Sequence, residues 1–151
     1  MALSFHKRFL LAVDGSGSAR RAAREATELA AIANAHVHVV YVVHPWGLAP
    51  YSGYYEPAAL SKVLYEDGRQ ALDEVRQAMI KRNVSVSVEI CETLGKSDSI
   101  SQCLLRCAAT RDVDLAVMGT HGKHGLGRAF LGSVAEEFLR IARCPVLIVR
   151  C

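Results

Sequence analysis

Two periodicities alternate along this chain. Phe9 to Val13 is a short apolar run that stops at Asp14-Gly15-Ser16-Gly17-Ser18, a cluster of turn and helix-capping residues. Ala19, Ala22, Ala23, Ala26, Leu29, Ala30 and Ala33 then recur at helical spacing, a narrow stripe of small apolar side chains. Val37 to Val43 is apolar at nearly every position and rich in β-branched residues, as a strand covered on both faces should be. From His44 to Pro57 the pattern is irregular, with three prolines, Trp46 and three tyrosines. A long amphipathic helix is predicted from about Ala58 to Arg82, carrying Leu60, Leu64, Leu72, Val75 and Met79.

Val84 to Cys91 alternates strictly, with Val84, Val86, Val88 and Ile90 separated by Ser85, Ser87 and Glu89. One face of this strand is therefore wet, which places it at or near a sheet edge. A helix from about Asp98 to Thr110 is expected to bury Ile100, Cys103, Leu104 and Cys107. Leu115 to Met118 reads as a fourth strand. It runs into Gly119-Thr-His-Gly122-Lys-His-Gly-Leu-Gly-Arg-Ala-Phe-Leu-Gly132-Ser133, and a helix with Ala135, Phe138, Leu139 and Ala142 begins near Ser133. Pro145 to Val149 is the fifth strand, with proline tolerated at its start.

Alternating βαβα with crossovers of this length demands an α/β fold: one open, mostly parallel sheet with helices on both faces. Ligands bind such sheets beyond the carboxyl ends of strands, where neighbouring strands send their connections to opposite faces. The loops after Val13 and after Met118 carry suitable chemistry, and they converge if the first and fourth strands are neighbours.

Composition narrows the function. The chain has 151 residues, 51% hydrophobic and 22% charged, which fits one globular domain and argues against disorder. A net charge of +3 favours a polyanionic small ligand but falls short of the concentrated basic face of a nucleic-acid binder. The cysteines, Cys91, Cys103, Cys107, Cys144 and Cys151, are five in number and have no framework spacing. With no signal peptide ahead of them, they read as reduced thiols in a cytoplasm. No apolar run has the length to cross a bilayer.

The glycine-rich loop between a strand and a helix can aim backbone N–H groups, a hydroxyl and a helix N-terminus at one point, a nest suited to phosphate. Gly119 and Gly122 would let the main chain approach a ligand, or serve only a tight strand exit. Ser133 reads as a phosphate ligand or as the cap of its helix, capping when the site is empty and turning to phosphate when it is filled. Asp14 reads as an Asx-turn residue or as an acceptor for ribose hydroxyls. Lys123 and Arg128 in the loop, and Lys96, are surface charges or electrostatic help for phosphate. His121 and His124 lack a partner at metal-binding spacing, so no metal site is assigned. Cys103 and Cys107, one helical turn apart on an apolar stripe, read as core. Trp46, Tyr51, Tyr54 and Tyr55 form a packing segment or a lid.

Gly119-x2-Gly122-x9-Gly132-Ser133 after an apolar strand, with Val13-Asp14-Gly15-Ser16 near the N-terminus and a closing Cys144-Pro145-Val146-Leu147-Ile148-Val149, resembles the universal stress protein family over essentially the whole chain. The resemblance implies a single domain with strand order 3-2-1-4-5. It also implies ATP binding, with or without Mg²⁺, as in the subgroup that keeps these glycines. Carried over by position, Gly119, Gly122, Gly132, Ser133 and Val134 would hold ribose and phosphates, with Met118 and Lys123 included in the site. Asp14 would contact the nucleoside, and Val42 would meet adenine through its backbone. The family's usual homodimer would pair Val146 to Val149 with its copy, and its usual role is stress response or signalling with no defined catalytic residue.

Three rival functions stand beside an ATP-responsive regulator. A slow ATPase or nucleotidyl transferase would share the loop, but the chain has no Gly-x4-Gly-Lys-[Ser/Thr] loop. A dinucleotide-binding domain begins at Gly15-Ser-Gly17 but lacks the third glycine and an acidic residue after the second strand. An interaction module with an empty pocket would rely on the tyrosine loop and the last strand.

Overall fold

A computed structural model describes residues 6–46, 57–121 and 131–150. The order is β1 (Arg8–Val13), α1 (Gly17–Ala33), β2 (His36–Val43), α2 (Pro57–Lys81), β3 (Ser85–Glu92), α3 (Ile100–Thr110), β4 (Leu115–Gly119), α4 (Ser133–Ile141) and β5 (Val146–Val149). The strands form one five-stranded sheet of order β3-β2-β1-β4-β5, and every neighbouring pair is parallel. The predicted α/β class and strand order both hold.

Side-chain alternation divides the interior in two. Phe9, Leu11 and Val13 of β1, with Val37, Val39, Tyr41 and Val43 of β2, face α1 and α2. Leu10 of β1, Val40 of β2, and Ala116 and Met118 of β4 face α3 and α4, where Phe138 is fully buried. The alanine stripe lets α1 lie close to the sheet, and Ala22 and Ala26 expose nothing. α1 and α2 thus cover one face, α3 and α4 the other.

β3 is an edge strand, as its alternation predicted. Val86 and Ile90 pack on the α2 side, while Ser85, Ser87 and Glu89 meet polar residues of β2. His36 bridges Ser85 (2.6 Å) and Ser87 (2.8 Å), and His38 bridges Ser87 (2.7 Å) and Glu89 (2.6 Å). His38 is only 3% exposed, so this ladder satisfies a polar ring that would otherwise be costly to bury.

Two local expectations shift. α3 begins at Ile100, because Ser99 takes the cap position and forms a reciprocal capping box with Gln102. Asp98 lies outside the helix, where it accepts from Leu94 N and from both terminal nitrogens of Arg106. Leu139 is 43% exposed: one residue beyond Phe138, it is turned about 100° around the helix, away from the sheet. Among the described residues no helix is long and apolar enough to cross a membrane.

Candidate functional site

β1 and β4 are neighbours whose following helices, α1 and α4, lie on opposite faces. The crevice beyond their carboxyl ends is therefore the switch point at which α/β sheets bind ligands.

The β1 side is a capped turn. Gly15 has φ 81°, a left-handed conformation that glycine adopts without a Cβ penalty. Asp14 Oδ1 accepts from Ser16 N at 2.9 Å, an Asx-turn, and Ser16 Oγ accepts from Ala19 N at 3.1 Å to cap α1. Both the turn and the carboxylate at the crevice were legible from the sequence.

The exit of β4 packs directly onto this turn. A Cβ on Gly119 would stand 2.9 Å from the backbone C and O of Ser18 and closer still to its Oγ. His121 N donates to Ser18 Oγ at 3.4 Å. Gly132 returns the chain to the same place: its amide donates to Thr120 O at 2.6 Å, and a Cβ on it would stand 2.8 Å from that oxygen. Packing within the chain is thus enough to require glycine at both positions. The Gly132 amide is engaged by the Thr120 carbonyl.

Ser133 does not cap its helix. Gly132 holds the N-cap position of α4 with extended backbone (φ −64°, ψ 155°), Ser133 is the first helical residue, and no side chain bonds the cap. The expected switch of the Ser133 hydroxyl from cap to phosphate is thereby corrected, because the residue already lies inside the first turn. The first turn of α4 opens toward the crevice with no side-chain cap among the described residues, the arrangement that attracts an anion. Val134 holds this turn in place, its carbonyl accepting from the buried Ser101 Oγ at 2.9 Å.

Val42 offers a backbone group. His36 N donates to Lys7 O on the β1 side, and Val43 O accepts from Thr93 N on the β3 side. Even-numbered residues of β2 therefore turn their amides and carbonyls toward β1. β1 stops at Val13, opposite Tyr41, so the Val42 carbonyl lies past the end of that ladder, on the crevice side. Met118 differs: its side chain is 4% exposed beneath α3 and α4. The bonds Ala116 N to Pro145 O and Thr120 N to Val149 O turn the even residues of β4 toward β5, so the Met118 backbone faces that strand.

His121 pairs its Nδ1 with Thr120 Oγ1 at 2.9 Å, and its buried Nε2 has no partner among the described residues. Gly122, Lys123, His124 and Arg128 of the loop lie outside the described residues, as do Tyr51, Tyr54 and Tyr55. Trp46 is 43% exposed.

A second cluster lies away from the crevice. Cys103 and Cys107 are core, as expected, but Cys91 at the end of β3 joins them, and its Sγ stands 2.8 Å from that of Cys107. Hydrogen bonds from Cys107 and Cys91 hold the Cys103 thiol well below the usual thiol range, and the same contacts push Cys91 and Cys107 up. A pocket of about 450 Å³ opens beside them, lined by Glu89, Arg106 and Arg111 among others.

The model of the universal stress protein family matches residues 6–150, and the chain belongs to that family. It is 34% identical over 149 residues to universal stress protein MJ0531 of Methanocaldococcus jannaschii, covering 97% of this chain and 84% of the relative. Among solved structures, a protein of the universal stress protein family from Burkholderia pseudomallei is 32% identical, with 97% of each chain covered and a TM-score of 0.75. A universal stress protein in complex with cAMP is 26% identical, with 97% and 98% covered and a TM-score of 0.62.

Proposed function

We propose that the protein binds an adenine nucleotide, ATP in particular, at the β1/β4 switch point and acts as a nucleotide-responsive regulator in the stress response. One observation carries this reading: α4 begins at the crevice with no side-chain cap on its first turn among the described residues. The Ser133 and Val134 amides and the Ser133 hydroxyl would meet phosphate there, with Gly119, Gly122 and Lys123 along the loop and Gly132 and Met118 shaping its base. Asp14 would accept from ribose hydroxyls. The Val42 carbonyl would accept from the adenine amino group, and guanine places an acceptor at that position. The relative solved with cAMP supports an adenine ligand for this fold. Free thiols at Cys91, Cys103, Cys107 and Cys144 suit a cytoplasmic protein.

The reading includes a homodimer. β5 is a sheet edge, and because Pro145 and Val149 bond β4, the polar backbone groups of Val146 and Ile148 point outward, available to a second copy.

Titration calorimetry of nucleotide-free protein with ATP and GTP, with and without Mg²⁺, tests the site. ATP should bind, GTP more weakly, and Gly122→Val should abolish the heat. Absence of heat with every adenine nucleotide would overturn the reading.

A further inference from the structure

The three thiols of Cys91, Cys103 and Cys107 serve neither the crevice nor a disulfide, since all are free. Their Sγ atoms lie within 4.8 Å of one another. Sequence alone places Cys103 and Cys107 on one face of α3, four residues apart. The parallel register that sets Cys91 beside Val42 then delivers the third sulfur from β3. Cys103 and Cys107 are 3% and 7% exposed, while Cys91 is half-buried at the pocket.

Tetrahedral zinc with Zn–S bonds of about 2.3 Å separates its sulfurs by about 3.8 Å. The pair at 2.8 Å must open, and any pair near 4.8 Å must close, by about 1 Å, within reach of side-chain torsions. A fourth ligand is at hand. Glu89 precedes Cys91 by two residues on the same face of β3 and lines the same pocket. Glu89 is itself held by His38 Nε2 at 2.6 Å and lies 3.6 Å from Arg111. A carboxylate anchored by an imidazole is the outer support that orients metal ligands. Arg106 and Arg111 line the same pocket and offset the negative charge of a trithiolate centre.

We propose that Cys91, Cys103 and Cys107 form a thiolate site for zinc, with Glu89 or a solvent molecule from the adjoining pocket as fourth ligand. Three soft sulfurs with one oxygen select Zn²⁺ over Mg²⁺ or Ca²⁺. Binding releases the thiol protons to solvent and involves no redox step. The site stands independently of the nucleotide reading, and its test uses no nucleotide.

The test is cobalt substitution of the reduced full chain. Co²⁺ should give thiolate-to-cobalt charge-transfer absorption with intense tetrahedral d–d bands, saturating at one equivalent and bleached by one equivalent of Zn²⁺. Cys91→Ser and Cys107→Ser should abolish the charge transfer, and Cys144→Ser should leave it intact. Glu89→Gln should keep the sulfur bands but weaken zinc binding by about 10- to 100-fold. Should the serine variants fail to fold, the wild type still decides, because Zn²⁺ must raise its Tm and chelator must reverse the rise. No charge transfer in reduced, folded protein would overturn the proposal. So would bands that survive Cys91→Ser, an unchanged Tm, or a Cys91–Cys107 disulfide forming under mild oxidant as fast with zinc as without it.

Discussion

Gly119 and Ser18 meet backbone to side-chain position: the space a Cβ would fill at the end of β4 is occupied by the main chain of the first turn of α1. The end of β4 and the start of α1 are therefore fixed relative to each other, and the fixing depends on a missing side chain.

Gly119→Ala should lower stability by about 1–3 kcal/mol, the range for forcing a methyl group into occupied space. Urea unfolding with an unchanged m-value would measure it. Adding Ser18→Ala should recover little, because the backbone atoms of Ser18 stand at 2.9 Å whatever its side chain. An unchanged midpoint in Gly119→Ala would refute the close approach.

Serines at three helix starts should behave differently. Ser16 and Ser99 bond the amides of Ala19 and Gln102 at 3.1 Å each, so Ser16→Ala and Ser99→Ala should each cost about 1 kcal/mol. Ser133 caps nothing, so Ser133→Ala should change stability by less than about 0.5 kcal/mol while weakening ATP binding. Denaturation and calorimetry on the same three variants separate the two roles.

Asp98 should shape the acid limb of stability. The Arg106 guanidinium, with help from the Leu94 amide, holds its carboxyl at about 2, below the ordinary 3.8. The unfolded chain therefore binds this proton first as pH falls, so the contribution is complete above about pH 4 and is lost as pH drops through 2. In Asp98→Asn, stability should change less over that window, as urea midpoints at several pH values will report.

The dimer can be tested without touching the core ladder. Ile148→Pro removes an outward N–H from β5 and leaves the bonds of Pro145 and Val149 to β4 in place. Sedimentation should show a monomer that retains ATP binding. A dimer in this variant would exclude pairing through the last strand.

The element pattern was legible because it follows from periodicity. The edge position of β3 came from Ser85, Ser87 and Glu89 alone, and the buried β2 from a stretch rich in valine, apolar at all but one position from Val37 to Val43. The strand order came from family resemblance, since periodicity does not say which parallel strands are neighbours. The turn at Asp14 was legible because one local motif holds it. What a glycine is for was not: Gly119 and Gly132 answer to Ser18 and Thr120, partners set by how β4 leaves the sheet. The capping box of Ser99 and Gln102 was present in the sequence and would have moved the start of α3. The thiol cluster had no local signal, because Cys91 reaches α3 only through the register of β3 on β2.

A helix whose opening amides meet no capping side chain among the described residues carries its own gauge of occupancy. In the empty protein the Ser133, Val134 and Ala135 amides should trade protons with solvent quickly, although Phe138 pins the same helix to the core. Deuterium uptake confined to that one turn would then fall when an anion sits down, reporting occupancy without any label.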